Sequence, residues 1–156
     1  MEKNLELNTQ AIPFVIGTFS VVFMLALSAI GATVGSVKSA SSAAVVSNRG
    51  VDLITKSYLP VLFASAGFMY SIIVTFLSLP KLQENMTIDT AWKVMSACFI
   101  YGIGSLFSGL AIGEANKHAI VRLSENRKVF LSMIIINSTI ELPAVFSLIC
   151  SVIILS

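Results

Sequence analysis

The sequence predicts an all-α membrane protein: four transmembrane helices arranged as two tandem helical hairpins. Composition is the first reason. Of 156 residues, 56% are hydrophobic and 12% charged, and the mean hydropathy is +0.90, so the chain lacks the charged surface that a soluble domain needs. The second is a succession of four long, nearly uncharged runs, each able to cross a hydrocarbon core of about 30 Å. The third is a repeat: Gly31-Ala32-Thr33-Val34-Gly35 returns as Gly109-Leu110-Ala111-Ile112-Gly113, and the same shift carries Arg49 to Arg127. An even number of spans separates the copies, which makes the hairpins parallel.

Residues 1–10, MEKNLELNTQ, read as a short polar segment on the lumenal side. Residues 11–80 form the first hairpin. Its first span is Ala11–Val37, with Pro13 near the start, where proline is tolerated. The run exceeds a signal-peptide core and no basic segment precedes it, so it reads as a retained helix. Lys38–Lys56 is a basic, small-residue connector into which both helices extend. The second span is Ser57–Leu79, closed by Pro80. Residues 81–93 form a polar lumenal loop containing the sequon Asn85-Met86-Thr87. Residues 94–156 form the second hairpin, with spans Val94–Gly113 and Val129–Ser156 joined by the charged connector Glu114–Lys128. Loops 38–56 and 114–128 carry most of the Lys and Arg, which places them in the cytoplasm and both termini in the lumen or exterior.

Val129–Ser156 contains one charged residue, Glu141. A helix rising about 1.5 Å per residue places it near the bilayer midplane, where a charged carboxylate costs about 3 kcal/mol on insertion scales. An intramembrane carboxylate with no Lys or Arg within the spans to pair with is a functional-site candidate. Aligning Pro143 with Gly67 sets Glu141 against Ser65, a hydroxyl in the first half where the second has a carboxylate. Helices 1 and 3 carry small-residue stripes that include Gly31, Gly35, Gly109 and Gly113, spacing that allows close backbone approach. They suit either ordinary packing within one four-helix bundle or the crowded inner wall of a ring. Helices 2 and 4 are bulkier, with Phe63, Phe68, Tyr70, Phe76, Phe130 and Phe146, and suit an outer wall facing lipid.

The chain lacks a phosphate-binding loop, a nucleophile–base pair and a metal-ligand cluster, so it reads as having no ATP site, cofactor or metal of its own. Cys98 and Cys150 lie in apolar runs and His118 in a loop. A net charge of +2, with no aromatic-interleaved basic patch, argues against nucleic acid.

The segments LSAIGATVGSVKSA, KSYLPVLFASAGFMYS, SGLAIG and MIIINSTIELPAVFS resemble the proteolipids, or c subunits, of V-type proton-pumping ATPases. The resemblance implies a rotary ring of proteolipid subunits, homo- or hetero-oligomeric, in a vacuolar or other endomembrane. It implies a static membrane subunit carrying an essential arginine, rotary-stalk contacts at the cytoplasmic loops, and Glu141 as the ion-carrying carboxylate. One carboxyl per four helices then suits a pump working against a steep gradient. Two departures stand out: Arg127 occupies the position of a proline in the family's cytoplasmic turn, and Pro143 replaces an aliphatic residue two after the glutamate. Pro143 removes a hydrogen bond to the carbonyl of Thr139 and is expected to kink helix 4, with Ser138 or Thr139 compensating. A sodium ring would recruit further oxygens, with Ser65, Ser105, Ser138 and Thr139 as candidate site neighbours. A structural four-helix channel or junction protein is the other alternative.

Overall fold

The computed structural model describes the backbone of residues 2–83 and 85–156 and the side chains of residues 11–50, 52–83 and 85–156. Met1, at the head of the 1–10 segment, and Glu84, in the 81–93 loop, lie outside the described residues, as do the side chains of residues 2–10. Four helices follow one another: α1 Glu2–Val46, α2 Val51–Ser78, α3 Ile88–Glu125 and α4 Val129–Leu155. Each is long and apolar enough to span a membrane, which makes the chain an all-α integral membrane protein.

α1, α2 and α3 are longer than their hydropathy runs, while α4 nearly coincides with its own. α3, with 38 residues, reaches about 57 Å, well beyond a hydrocarbon core of about 30 Å. Most of the charged connectors is therefore helix. The first hairpin turns through a short 3₁₀ segment, Ser47–Arg49, and Gly50, whose φ of +134° suits only glycine. The second turns over residues 126–128. α3 begins at Ile88, inside the stretch expected to be loop, because the Thr87 hydroxyl caps it by accepting from the Thr90 N–H at 3.3 Å. α2 ends at Ser78, and Pro80 follows within a 3₁₀ turn at Leu79–Lys81. Pro13 does not start a helix but lies inside α1.

α1 packs most extensively on α3. α2 and α4 flank this pair, both touch α3, and they meet each other along a shorter seam. Small residues make the central contact possible. A Cβ on Gly109 would sit 2.5 Å from the Gly31 carbonyl carbon, and one on Gly113 would sit 2.6 Å from Gly35 Cα. Apolar clusters close the two ends. Val21, Met24, Val74, Val94, Ala97, Cys98 and Tyr101 pack at the end holding the α2–α3 turn. Ala43, Val46, Leu53, Ile120, Leu123 and Met133 pack at the opposite end. Between them the interior is lined by glycines and serines. Large apolar side chains such as Phe76, Phe107, Phe146 and Ile153 point outward, more than half exposed. Such a surface belongs in lipid or against further subunits.

Polar contacts hold α4 on α3. Ser151 Oγ donates to the Ala97 carbonyl at 2.8 Å, and Ser108 Oγ donates to the Ile140 carbonyl at 3.0 Å. Nearer the 126–128 turn, the amides of Asn116 and Asn137 bond each other. Such interhelical bonds contribute about 0.6–2 kcal/mol each within membranes. The burial of Asn137 in this pair leaves no access to the sequon it begins.

Candidate ion-binding site

The buried positions of α4, Met133, Asn137, Ala144, Ser147, Ser151 and Leu155, recur at steps of three, four and seven. Glu141 falls in the gap of this stripe, four after Asn137 and three before Ala144. Helix periodicity thus turns its side chain toward the bundle rather than directly into lipid. It is half-buried and lies near the middle of α4, about 18 Å of helix from Val129.

The carboxyl meets α2. The Tyr70 hydroxyl donates to Glu141 Oε1 at 3.1 Å. The two residues close one side of an open groove of ≈ 280 Å³, whose other walls are Leu59, Leu62, Phe63 and Ala66. The ion pairs among the described residues lie elsewhere: Lys38–Glu114, Lys117–Glu114, Lys93–Asp89 and Arg127–Asp52. Glu141 thus faces an apolar groove with one hydrogen-bond donor and no described cation. A neutral carboxylic acid is comfortable in such a place, while the anion is costly unless a cation is brought to it.

The serines and threonine expected beside the carboxyl are not gathered there. Ser65 Oγ donates to Leu62 O in its own helix and lines a different, larger groove of ≈ 400 Å³, shared with Ala29, Ala32, Thr33, Ser36, Val37 and Phe68. Among the described residues, no titratable group lines that groove. Ser105 is buried between α3 and α2, its hydroxyl directed at Gly67 and without a partner. Ser138 is exposed on α4. Thr139 is also exposed and donates to Ile135 O at 2.8 Å, so its hydroxyl does not replace the bond lost at Pro143. Pro143 is exposed, and α4 continues as helix through it. Among the described residues, no group of three or more His, Cys, Asp or Glu side chains could hold a metal ion.

Tyr70 is the site residue that sequence reasoning misses, because its ring groups it with the phenylalanines of the lipid-facing wall. The usable signal is its hydroxyl: a tyrosine in mid-membrane needs a polar partner, and Glu141 is the polar group of matching depth. A second tyrosine, Tyr101 on α3, is fully buried and donates to the Gly67 carbonyl, so polar groups line both faces of α2 at this level.

Comparison with known proteins agrees with this geometry. Residues 95–154, covering most of α3 and α4 and including Glu141, match the family of ATP synthase C subunits. The chain is 28% identical over 129 residues to the 16 kDa proteolipid c subunit of the V-type proton ATPase of Rattus norvegicus, covering 83% of each chain. It is 26% identical to the protein of the same name from Homo sapiens, again over 83% of each. It is 24% identical to the V-type proton ATPase c subunit of Candida tropicalis, over 85% of this chain and 83% of that one. With four membrane-length helices in place and a carboxyl at the middle of the last, the chain is similar to the proteolipid c subunits of V-type proton ATPases.

Proposed function

We propose that this chain is a ring subunit of a V-type ATPase that carries protons on Glu141 while the ring turns against a static membrane subunit. The observation that carries the reading is the setting of Glu141, a lone mid-helix carboxyl in an apolar groove, hydrogen-bonded by Tyr70 and without a described cation. Facing lipid, the carboxyl stays protonated, because the charged form costs about 3 kcal/mol or more at that depth. Facing a polar half-channel with a cation, it ionises and releases its proton. An arginine on the static subunit supplies that cation in this reading. Rotation then carries neutral sites through lipid, and ATP is hydrolysed by other subunits.

Protons are favoured over sodium because, among the described residues, Tyr70 is the one hydroxyl bonded to the carboxyl, whereas sodium takes several oxygen ligands. A carbodiimide, which attacks protonated carboxyls in apolar settings, is expected to label Glu141 selectively and stall pumping. Sodium should not slow the labelling. Strong sodium protection would transfer the assignment to a sodium ring.

The turns at residues 47–50 and 126–128 are proposed to be cytoplasmic and to meet the rotary stalk, with both termini lumenal in an endomembrane. Within the subunit these turns are tied together: Arg49 bonds Ser124 at 3.0 Å and Arg127 approaches Asp52 at 3.5 Å. Exposed pairs of this kind contribute about 0–1 kcal/mol, which leaves the basic groups free to serve a partner. Charge reversal at Arg127 and Lys128 should preserve ring assembly and weaken coupling of ATP hydrolysis to pumping. Unchanged coupling would remove the stalk contact.

A further inference from the structure

We propose that the reciprocal amide pair Asn116–Asn137 is a positioning device that fixes the rotation of α4 and so holds Glu141 against Tyr70. This deepens the reading of Glu141 as the carrier and rests on it.

The pair is closed on itself. Asn116 Nδ2 donates to Asn137 Oδ1 at 2.6 Å, and Asn137 Nδ2 donates to Asn116 Oδ1 at 3.1 Å. Asn116 Nδ2 also donates to the Ile112 carbonyl at 2.7 Å. Both side chains are 1% exposed. Two reciprocal bonds of this kind form at one helix rotation and one register. Turning α4 by a single residue, about 100°, would leave two buried amides without each other. Asn137 lies one turn from Glu141 on the same side of α4, so whatever fixes the rotation of one fixes the other.

The other side-chain hydrogen bonds between α3 and α4 are less restrictive. The hydroxyls of Ser108 and Ser151 end on main-chain carbonyls, which recur along every turn of a helix. The first hairpin provides an internal comparison. The shift that relates the two glycine motifs sets Asn116 against Lys38, and the alignment of Pro143 with Gly67, offset by two residues from it, sets Asn137 against Val61 and Glu141 against Ser65. Among the described residues, the polar contact there is Ser36 Oγ to the Val61 carbonyl at 3.4 Å, a single bond to backbone. The interlocking amides therefore occur in the hairpin that bears the carboxyl and not in the one that lacks it. The consequence is mechanical: Glu141 exchanges its proton by moving its own side chain on a fixed helix, without α4 swivelling.

The test uses the full chain in the assembled membrane complex. Asn116→Leu combined with Asn137→Leu removes both amides together and leaves no orphaned polar group. Its assembled rings should show several-fold faster carbodiimide labelling of Glu141 than the parent, since the carboxyl is no longer held at Tyr70. An unchanged labelling rate in assembled rings overturns the proposal. Asn116→Cys combined with Asn137→Cys provides a second arm, because a disulfide re-imposes the constraint. Oxidation should restore the slow parental rate and reduction should release it. A cysteine pair that does not cross-link, or that cross-links without slowing the labelling, overturns the proposal as well. Both arms report the setting of the carboxyl and not transport. If Glu141→Gln still pumped, the carrier reading would fail while these outcomes continued to report on the pair.

Discussion

Gly109→Leu is expected to abolish recovery of assembled complex from the membrane. Gly109 lies where α1 and α3 come closest, and a Cβ there would meet the carbonyl carbon and oxygen of Gly31 at 2.5 Å. A Cβ on Gly31 would likewise sit 2.8 Å from Leu106 Cα. These obstacles are backbone, so no side-chain rotation relieves them, and the helices must separate. Overpacking of a tight core costs about 1–3 kcal/mol even for modest additions, and leucine adds a whole branched side chain. Separation would also undo the adjacent Gly35–Gly113 approach and shift α2 and α4, which pack on the same pair. Native-gel yield of the complex, normalised to expressed chain, measures the loss. Normal yield of both Gly109→Leu and Gly31→Leu would show that the α1–α3 contact is not close-packed.

The second large effect is expected at Glu141. Glutamine keeps the size and polarity of the neutral acid, so Tyr70 retains an acceptor and the lipid-facing state survives. It has no proton to release and no charge to pair with a static arginine. Pumping should therefore fall to background while ring assembly stays normal. Glu141→Asp should keep part of the activity, because a titratable group remains about one methylene short of its place. Ser65→Ala should cost far less, since its hydroxyl bonds only within its own helix and lines a groove without described titratable groups.

The four-helix architecture was legible because hydropathy records burial in lipid over lengths that only helices can span. Helix ends were less legible. Charges mark where a helix leaves the membrane, not where it stops, so Glu114–Lys128 reads as a connector although α3 continues to Glu125. Glu141 stands out because it is the single charge in its run. Its surroundings do not, because candidates chosen by chemical type ignore which helix face they occupy. Ser138 and Thr139 are near Glu141 in sequence but lie on the exposed face of α4, while Tyr70, distant in sequence, makes the contact. In sequence Asn137 only opens a second sequon, Asn137-Ser138-Thr139, inside an apolar run. Its pairing with Asn116 depends on how two antiparallel helices register, which neither helix shows alone.

Initial rates of ATP-driven acidification in sealed vesicles, expressed per assembled complex and compared between the parent and Glu141→Gln, decide whether Glu141 carries the proton. Normal complex content is expected, with acidification indistinguishable from the no-ATP control. Substantial acidification by the Glu141→Gln ring at normal complex content would contradict that expectation and remove Glu141 as the proton carrier.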